Sequence, residues 1–336
     1  VVLLTIFCCT IQFLTGESDT MNQERTKYVT DPLIYADIPD PDVIRVDGNF
    51  YMSSTTMYFS PGCPIMESKN LVDWTICNYV YNILEDTDAL SLRNGKNAYG
   101  RGSWASSLRY HDGKFYVLFM SFTTNKSYIY ETNDIEQGEW KKHTFSTIFY
   151  DASLLFDDDG RVYIVSTSDG NFLLTELSAD LQSIKVGGVN MKWIASTELK
   201  AGLKGEGVHI QKINGYYYLF VIAWPQNSMR TEYCFRSKNI EGPYEKKIVL
   251  QDEGAAQGGI IDTIEGKWYG FVFKDHGAVG RTPVIVPVMW QEDWPLFGVN
   301  GKVPHDMQYP VVERSGENKS DRSGRNAIVT SDDFNE

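Results

Sequence analysis

Asp112-Gly113-Lys114-Phe115-Tyr116 reads as a tight turn between two strands, an acidic residue and a glycine flanked by alternating apolar residues. Both central residues of a type I′ hairpin turn need positive φ, which glycine adopts freely and aspartate or asparagine tolerates. The same pattern stands at Asp47-Gly48-Asn49-Phe50-Tyr51, Asp159-Gly160-Arg161-Val162-Tyr163, Asn214-Gly215-Tyr216-Tyr217-Tyr218 and Glu265-Gly266-Lys267-Trp268-Tyr269. With starts at 47, 112, 159, 214 and 265, the five copies lie 47 to 65 residues apart, the period range of propeller blades and similar arrays. No window keeps a helical period long enough for a bundle or for βαβ units. The expected fold is all-β, a five-bladed β-propeller.

Seven or eight residues before each copy stands a side chain able to do chemistry or hold a ligand: Asp40, Trp104, Asp151, Glu206 and Gln257. If each turn joins the inner two strands of a blade, these five converge on one axis. Pro39 and Pro41 restrict the backbone of Asp40. Asp151 heads the apolar run 152–156, where an unpartnered carboxylate is costly. Gly205 and Gly207 flank Glu206 and let a neighbour approach its backbone. Taken singly, Asp40 also reads as a turn residue, Asp151 as a strand cap and Trp104 as a core residue. The set points to glycosidic bond cleavage, which needs one carboxyl group as acid and another as base or nucleophile. A third carboxylate raises the pKa of the acid by like-charge repulsion, and a Trp supplies a platform for a sugar ring.

The charge count, 31 Lys and Arg against 44 Asp and Glu for a net −13, argues against nucleic acid or an anionic membrane as partner, since both need clustered cations. An uncharged ligand such as a sugar fits. Val1 to Gly16 is almost wholly apolar but shorter than the ~20 residues of a membrane span. Residues 1–18 are therefore read as a signal peptide, incomplete at its N-terminus, with a secreted or periplasmic location; a membrane anchor is the alternative. Residues 19–30 form a leader, 31–313 the catalytic propeller, and 314–336 a linker and the start of a truncated C-terminal domain. Cys63, Cys77 and Cys234 fit neither a zinc site nor a disulfide framework and read as semi-buried thiols.

Five stretches carry a resemblance to glycoside hydrolase family 43: Pro39-Asp40-Pro41, Ser60-Pro61-Gly62-Cys63-Pro64-Ile65, Tyr150-Asp151-Ala152-Ser153-Leu154, Gly205-Glu206-Gly207 and Gly277-Ala278-Val279-Gly280-Arg281. The resemblance runs in order over about residues 33 to 313. It implies a five-bladed propeller that inverts the anomeric centre, with Asp40 as general base and Glu206 as general acid. Asp151 would orient the acid and raise its pKa. Trp104, Arg281, Met57, Phe59 and Gln257 would contact the sugar, and the C-terminal tail would begin a β-sandwich. The activity implied is exo-acting removal of terminal α-L-arabinofuranosyl or β-D-xylosyl groups from plant cell-wall oligo- or polysaccharides.

Two departures stand out. Many members carry His-Gln-Gly-Gly in the fifth blade, where this chain has Ala256-Gln257-Gly258-Gly259. Ala256 weakens the case for a structural calcium ion, so no metal or cofactor is expected. Several xylosidase-type members have an aromatic residue at the place of Met57, with Phe59 near enough to supply an apolar wall, and the Met57 and Ser60-Pro61-Gly62 variants lean towards arabinofuranosidase. Two other readings stay open. One is a non-catalytic carbohydrate-binding propeller, which Ala256 favours. The other is a retaining fructan-cleaving propeller, whose Trp-x-Asn-Asp-Pro-Asn and Arg-Asp-Pro patterns do not occur here. His209 would face the side of Glu206 only in a distorted strand and is read as structural.

Overall fold

Residues 26–30, 33–57, 60–304 and 306–310 are described by the structure, a computed structural model. The signal peptide at 1–18, Phe59 and the tail at 314–336 lie outside the described residues. Five four-stranded antiparallel sheets follow one another along the chain, each with its strands in sequence order. Blade I comprises Asp42–Val46, Asn49–Ser53, Gly62–Ser68 and Thr75–Tyr81; blade II comprises Ser107–His111, Lys114–Ser121, Lys126–Thr132 and Lys141–Phe145. Blade III comprises Ser153–Phe156, Val162–Ser168, Asn171–Leu177 and Lys192–Ser196. Blade IV comprises Gly202–Ile213, Tyr216–Pro225, Thr231–Ser237 and Glu245–Leu250; blade V comprises Ala256–Asp262, Trp268–Asp275, Arg281–Gln291 and Trp294–Phe297.

Every one of the five turn motifs joins the first and second strands of a blade. Three are two-residue turns with both φ angles positive: Asp47 at 49° and Gly48 at 83°, Asp112 at 47° and Gly113 at 76°, Asn214 at 50° and Gly215 at 79°. The other two close longer loops. At Asp159-Gly160 only the glycine is left-handed; the Gly160 N–H donates to Asp157 O at 3.0 Å, and the Asp157 N–H donates to Arg161 O at 2.9 Å. That is a type I turn followed by a left-handed glycine, a common alternative to the two-residue hairpin.

The first strands touch one another in a closed ring, blade V returning to blade I. Arg45 bridges that closing junction, its Nη2 lying 2.7 Å from Asp262 Oδ2. An apolar cluster fills each junction between successive blades. Examples are Phe50 and Met52 with Ile261 and Phe271, and Tyr51 and Ile65 with Leu108 and Phe119. The next junctions pair Leu118 with Leu154, Phe172 with Leu219, and Phe220 with Val272. The apolar core is thus divided among the blade interfaces, and polar side chains occupy the axis. Thr26–Thr30, at the end of the expected leader, is a strand that pairs antiparallel with Asp306–Pro310. Cys63, Cys77 and Cys234 are free thiols, and among the described residues no helix is long and apolar enough to cross a membrane.

Candidate active site

Four of the five side chains singled out in the sequence come together, Asp40, Asp151 and Glu206 by mutual electrostatic coupling and Trp104 through Tyr150, and the fifth, Gln257, packs beside Glu206. Asp40 precedes the first strand of blade I, Trp104 that of blade II and Asp151 that of blade III, while Glu206 and Gln257 lie within the first strands of blades IV and V. Asp40 (φ 52°), Asp151 (φ 41°) and Gln257 (φ 63°) are all left-handed, a conformation that costs a non-glycine residue on the order of 1 kcal/mol or more and clusters at functional sites. The strand carrying Glu206 shifts register on both sides of it, between Leu203 and Glu206 and again between Glu206 and His209. Such bulges re-aim a side chain. Gly207 is left-handed at 59°, and a Cβ there would lie 2.4 Å from Gln257 Cδ. Only glycine lets Gln257 pack against the backbone next to Glu206.

Asp40 is buried and fully bonded. Arg281 Nη1 donates to its Oδ1 at 2.9 Å and Thr55 Oγ1 to its Oδ2 at 2.5 Å. Burial pushes this carboxyl up, and Arg281, then Thr55 and His209, oppose that push. Arg281 is itself held by its N–H to Asp37 Oδ1 at 2.7 Å and by the Phe273 ring, 5.1 Å from its guanidinium carbon.

Asp151 is driven well above the ordinary carboxylate range, first by burial, then by the charges of Glu206 and Asp40. Its Oδ1 is buried without a hydrogen-bond partner among the described residues. Burial also raises Glu206; the Tyr150 hydroxyl, donating to Oε2 at 2.9 Å, pulls it back, and the Asp40 charge raises it again. Coulomb coupling is reciprocal, so Asp151 and Glu206 together retain a proton at a pH where two isolated carboxyls hold none.

Trp104 is half-buried, packed nearly perpendicular to Phe122 at 5.0 Å and against Tyr150 at 5.8 Å. It belongs to an aromatic wall that reaches the Glu206 carboxyl through Tyr150. Gln257 is buried, and its N–H donates to Glu232 Oε2 at 2.6 Å. Met57 is half-buried and accepts the Gly100 N–H at 3.1 Å. Ala256 is fully buried against Ile222 and Phe273. Among the described residues no group of three or more His, Cys, Asp or Glu side chains is arranged to hold a metal ion.

Sequence reasoning missed several participants. Tyr150 adjoins Asp151 and could have been weighed with it. Thr55 and Arg230, whose charge lowers Glu206, carry no local signal. Beneath Asp40 lies a second polar layer. Asp42 Oδ2 accepts Arg109 Nη1 at 2.7 Å and the Leu108 N–H at 2.9 Å, and His209 Nδ1 lies 3.5 Å from Oδ1. Arg109 also donates to Ser153 Oγ at 2.6 Å, Leu154 O at 2.8 Å and Ile210 O at 3.1 Å, which ties four blades together. His209 faces this layer because the bulge after Glu206 is the distortion a regular strand would lack.

The sequence model of glycosyl hydrolases family 43 matches residues 29–295. A beta-xylosidase of Formosa agariphila is 28% identical over 304 residues, covering 80% of this chain and 50% of its own. The non-reducing end alpha-L-arabinofuranosidase BoGH43B of Bacteroides ovatus is 29% identical over 311 residues, covering 84% and 56% respectively. The solved structure of a bifunctional GH43-CE of Bacteroides eggerthii matches with a TM-score of 0.81 at 44% identity, over 85% of this chain and 37% of that one. The chain spans about half the length of the curated relatives it matches.

Proposed function

We propose that this chain, which belongs to glycosyl hydrolases family 43, is the catalytic propeller of an exo-acting, inverting glycosidase. Its substrates would be terminal α-L-arabinofuranosyl or β-D-xylosyl groups on plant cell-wall oligo- or polysaccharides. The observation that carries the reading is the coupled set of Asp40, Asp151 and Glu206 at matching places in blades I, III and IV, all raised by burial and all sharing the charge of Arg281. Arg281 and Thr55 favour the ionised form of Asp40, which suits a base that deprotonates water at the anomeric carbon. Glu206 shares retained protons with Asp151, which suits an acid that protonates the departing oxygen. Trp104 and its aromatic neighbours form the sugar's wall, and Arg281 faces its hydroxyls. The names of the two relatives above support both sugars, and Met57 favours the arabinofuranosyl group. The apolar run Val1–Gly16 supports export.

The test is initial hydrolysis of aryl α-L-arabinofuranoside and aryl β-D-xyloside by the chain and by Glu206→Gln, with proton NMR of the first-formed anomer. The expected result is turnover of at least one substrate with inversion, reduced about 10³-fold or more in the variant. Equal rates in a folded variant would overturn the assignment of Glu206, and a retained anomer would overturn the role of Asp40.

A further inference from the structure

We infer that a groove between blades I and II is a subsite for a flat, uncharged aromatic group, such as an aromatic acyl ester, attached to the substrate on the leaving-group side of the scissile bond. The inference rests on the glycosidase reading above and adds a substrate class to it.

The groove encloses about 510 Å³ and is lined chiefly by Met57, Tyr81, Ile83, Leu90, Leu92 and Tyr99, with small residues between them. That volume is within the range of small-molecule sites. It adjoins the carboxylates through one backbone pair. Thr56 and Ser103 exchange hydrogen bonds, N–H to O, at 3.2 and 2.8 Å. On one side of the pair stand Thr55, bonded to Asp40, and Trp104, packed on the tyrosine that holds Glu206. On the other side stand Met57 and Gly102, which line the groove. Two residues of extended chain, about 7 Å, therefore separate the groove from Thr55 and Trp104, which contact the catalytic side, the reach of the next unit of a substrate. Gly102 keeps the partition thin: a Cβ there would lie 2.3 Å from Thr56 O.

The lining decides the ligand. Among the described residues it contains no charged or amide side chain, in contrast to the carboxylate-rich site next door. Among the described lining residues the hydroxyls are those of Ser60, Ser91, Tyr81 and Tyr99, and the Tyr81 hydroxyl already donates to Ser103 Oγ at 3.0 Å. A bare sugar ring would cover little of this apolar surface with apolar atoms and would gain less from it than an apolar face does. Meanwhile Ile83, Leu92 and Tyr99 stay 60%, 59% and 56% exposed, so an apolar face would remove them from water. The lip is held in place from behind. Arg93 lies 2.7 Å from Asp86 and Lys96 3.4 Å from Asp88, and the Ser91 N–H donates to Thr87 O at 3.0 Å.

Leu92→Asp tests the groove without touching the carboxylates, because the residue is exposed. Binding of methyl hydroxycinnamate is titrated against the chain, Leu92→Asp and Glu206→Gln. Kinetics are then measured on arabinosylated xylo-oligosaccharides with and without an aromatic acyl ester next to the scissile bond, and on methyl α-L-arabinofuranoside. We expect the chain and Glu206→Gln to bind the probe alike and Leu92→Asp to bind at least about tenfold more weakly. The ester should lower KM several-fold in the chain but not in Leu92→Asp, with kcat on the methyl glycoside unchanged. Equal probe binding by Leu92→Asp, or hydrolysis indifferent to the ester, overturns the inference and leaves the glycosidase reading intact. Probe binding at the groove in a chain that hydrolyses no glycoside supports the groove and counts against the glycosidase reading instead.

Discussion

Asp40 and Asp42 flank a single proline, are 3% and 5% exposed, and titrate in opposite directions. Burial lifts Asp40 above its ordinary value. Burial acts the same way on Asp42, yet Arg109, His209 and the Leu108 amide overcome it and hold that carboxyl at about 2. Depth in the channel therefore does not separate the upper layer from the lower one; the pairing of the cation does. Arg109 faces one carboxylate, and its donors are otherwise fixed on Leu108 O of its own blade and on oxygens of blades III and IV. Arg281 bonds to Asp40 while also acting on Asp151 and Glu206. One charge divided among three carboxyls leaves protons in play, which is what acid–base chemistry requires.

Cutting the lower layer should have the largest effect on the fold. Arg109→Met strands a buried carboxylate and should cost about 3–5 kcal/mol in urea unfolding. Arg281→Met also leaves a buried carboxylate, since Asp40 is 3% exposed, but one that burial already biases towards its neutral form, so it should cost less than Arg109→Met while abolishing most activity. Similar stability losses in the two variants would erase the distinction between the layers.

Acid should separate the layers next. Asp42, depressed from 3.8 to about 2, contributes about 2 kcal/mol that is fully present above pH ~4 and lost as pH falls through about 2. Asp40, Asp151 and Glu206 are raised, so their ionisation costs stability at higher pH, and that cost is relieved as pH falls towards 4. Melting temperature should therefore rise on mild acidification from neutrality and then drop steeply between pH 4 and 2. In Asp42→Asn the steep drop should shrink. A melting temperature that falls steadily from neutrality would contradict the raised values of the upper layer.

The turn motifs made the architecture legible because an Asp-Gly pair needs only local geometry. Where the loop lengthens, at Asp159-Gly160 and Glu265-Gly266, the motif still marks the inner hairpin though the turn type differs. The residues upstream of the turns were legible for the same reason: the blade repeat fixes their place. The lower layer was not. Arg109 contacts residues from four different blades, and nothing in the sequence around it marks that convergence. His209, read as structural, does lie in this lower layer, 3.5 Å from Asp42, but its place there depends on a bulge that the glycines flanking Glu206 permit. A local cue for that bulge existed, in Gly205-Glu206-Gly207, but its consequence for the residue three places on depends on the register of the strand beside it.

The smallest expected effect tests whether the proposed base, Asp40, and the proposed acid, Glu206, are tuned independently. Thr55 stabilises the charged form of Asp40, and Tyr150 that of Glu206. Thr55→Val should raise the pKa of the base, so the acid limb of kcat/KM moves to higher pH and the active window narrows. Tyr150→Phe keeps the ring packed against Trp104 but removes its donor, which raises the pKa of the acid and moves the basic limb to higher pH. Each shift should be about one unit or less, the weight of a single hydrogen bond. If both variants instead move both limbs together, Asp40 and Glu206 titrate as one coupled unit, and the separate tuning drawn from their hydrogen-bond partners is wrong.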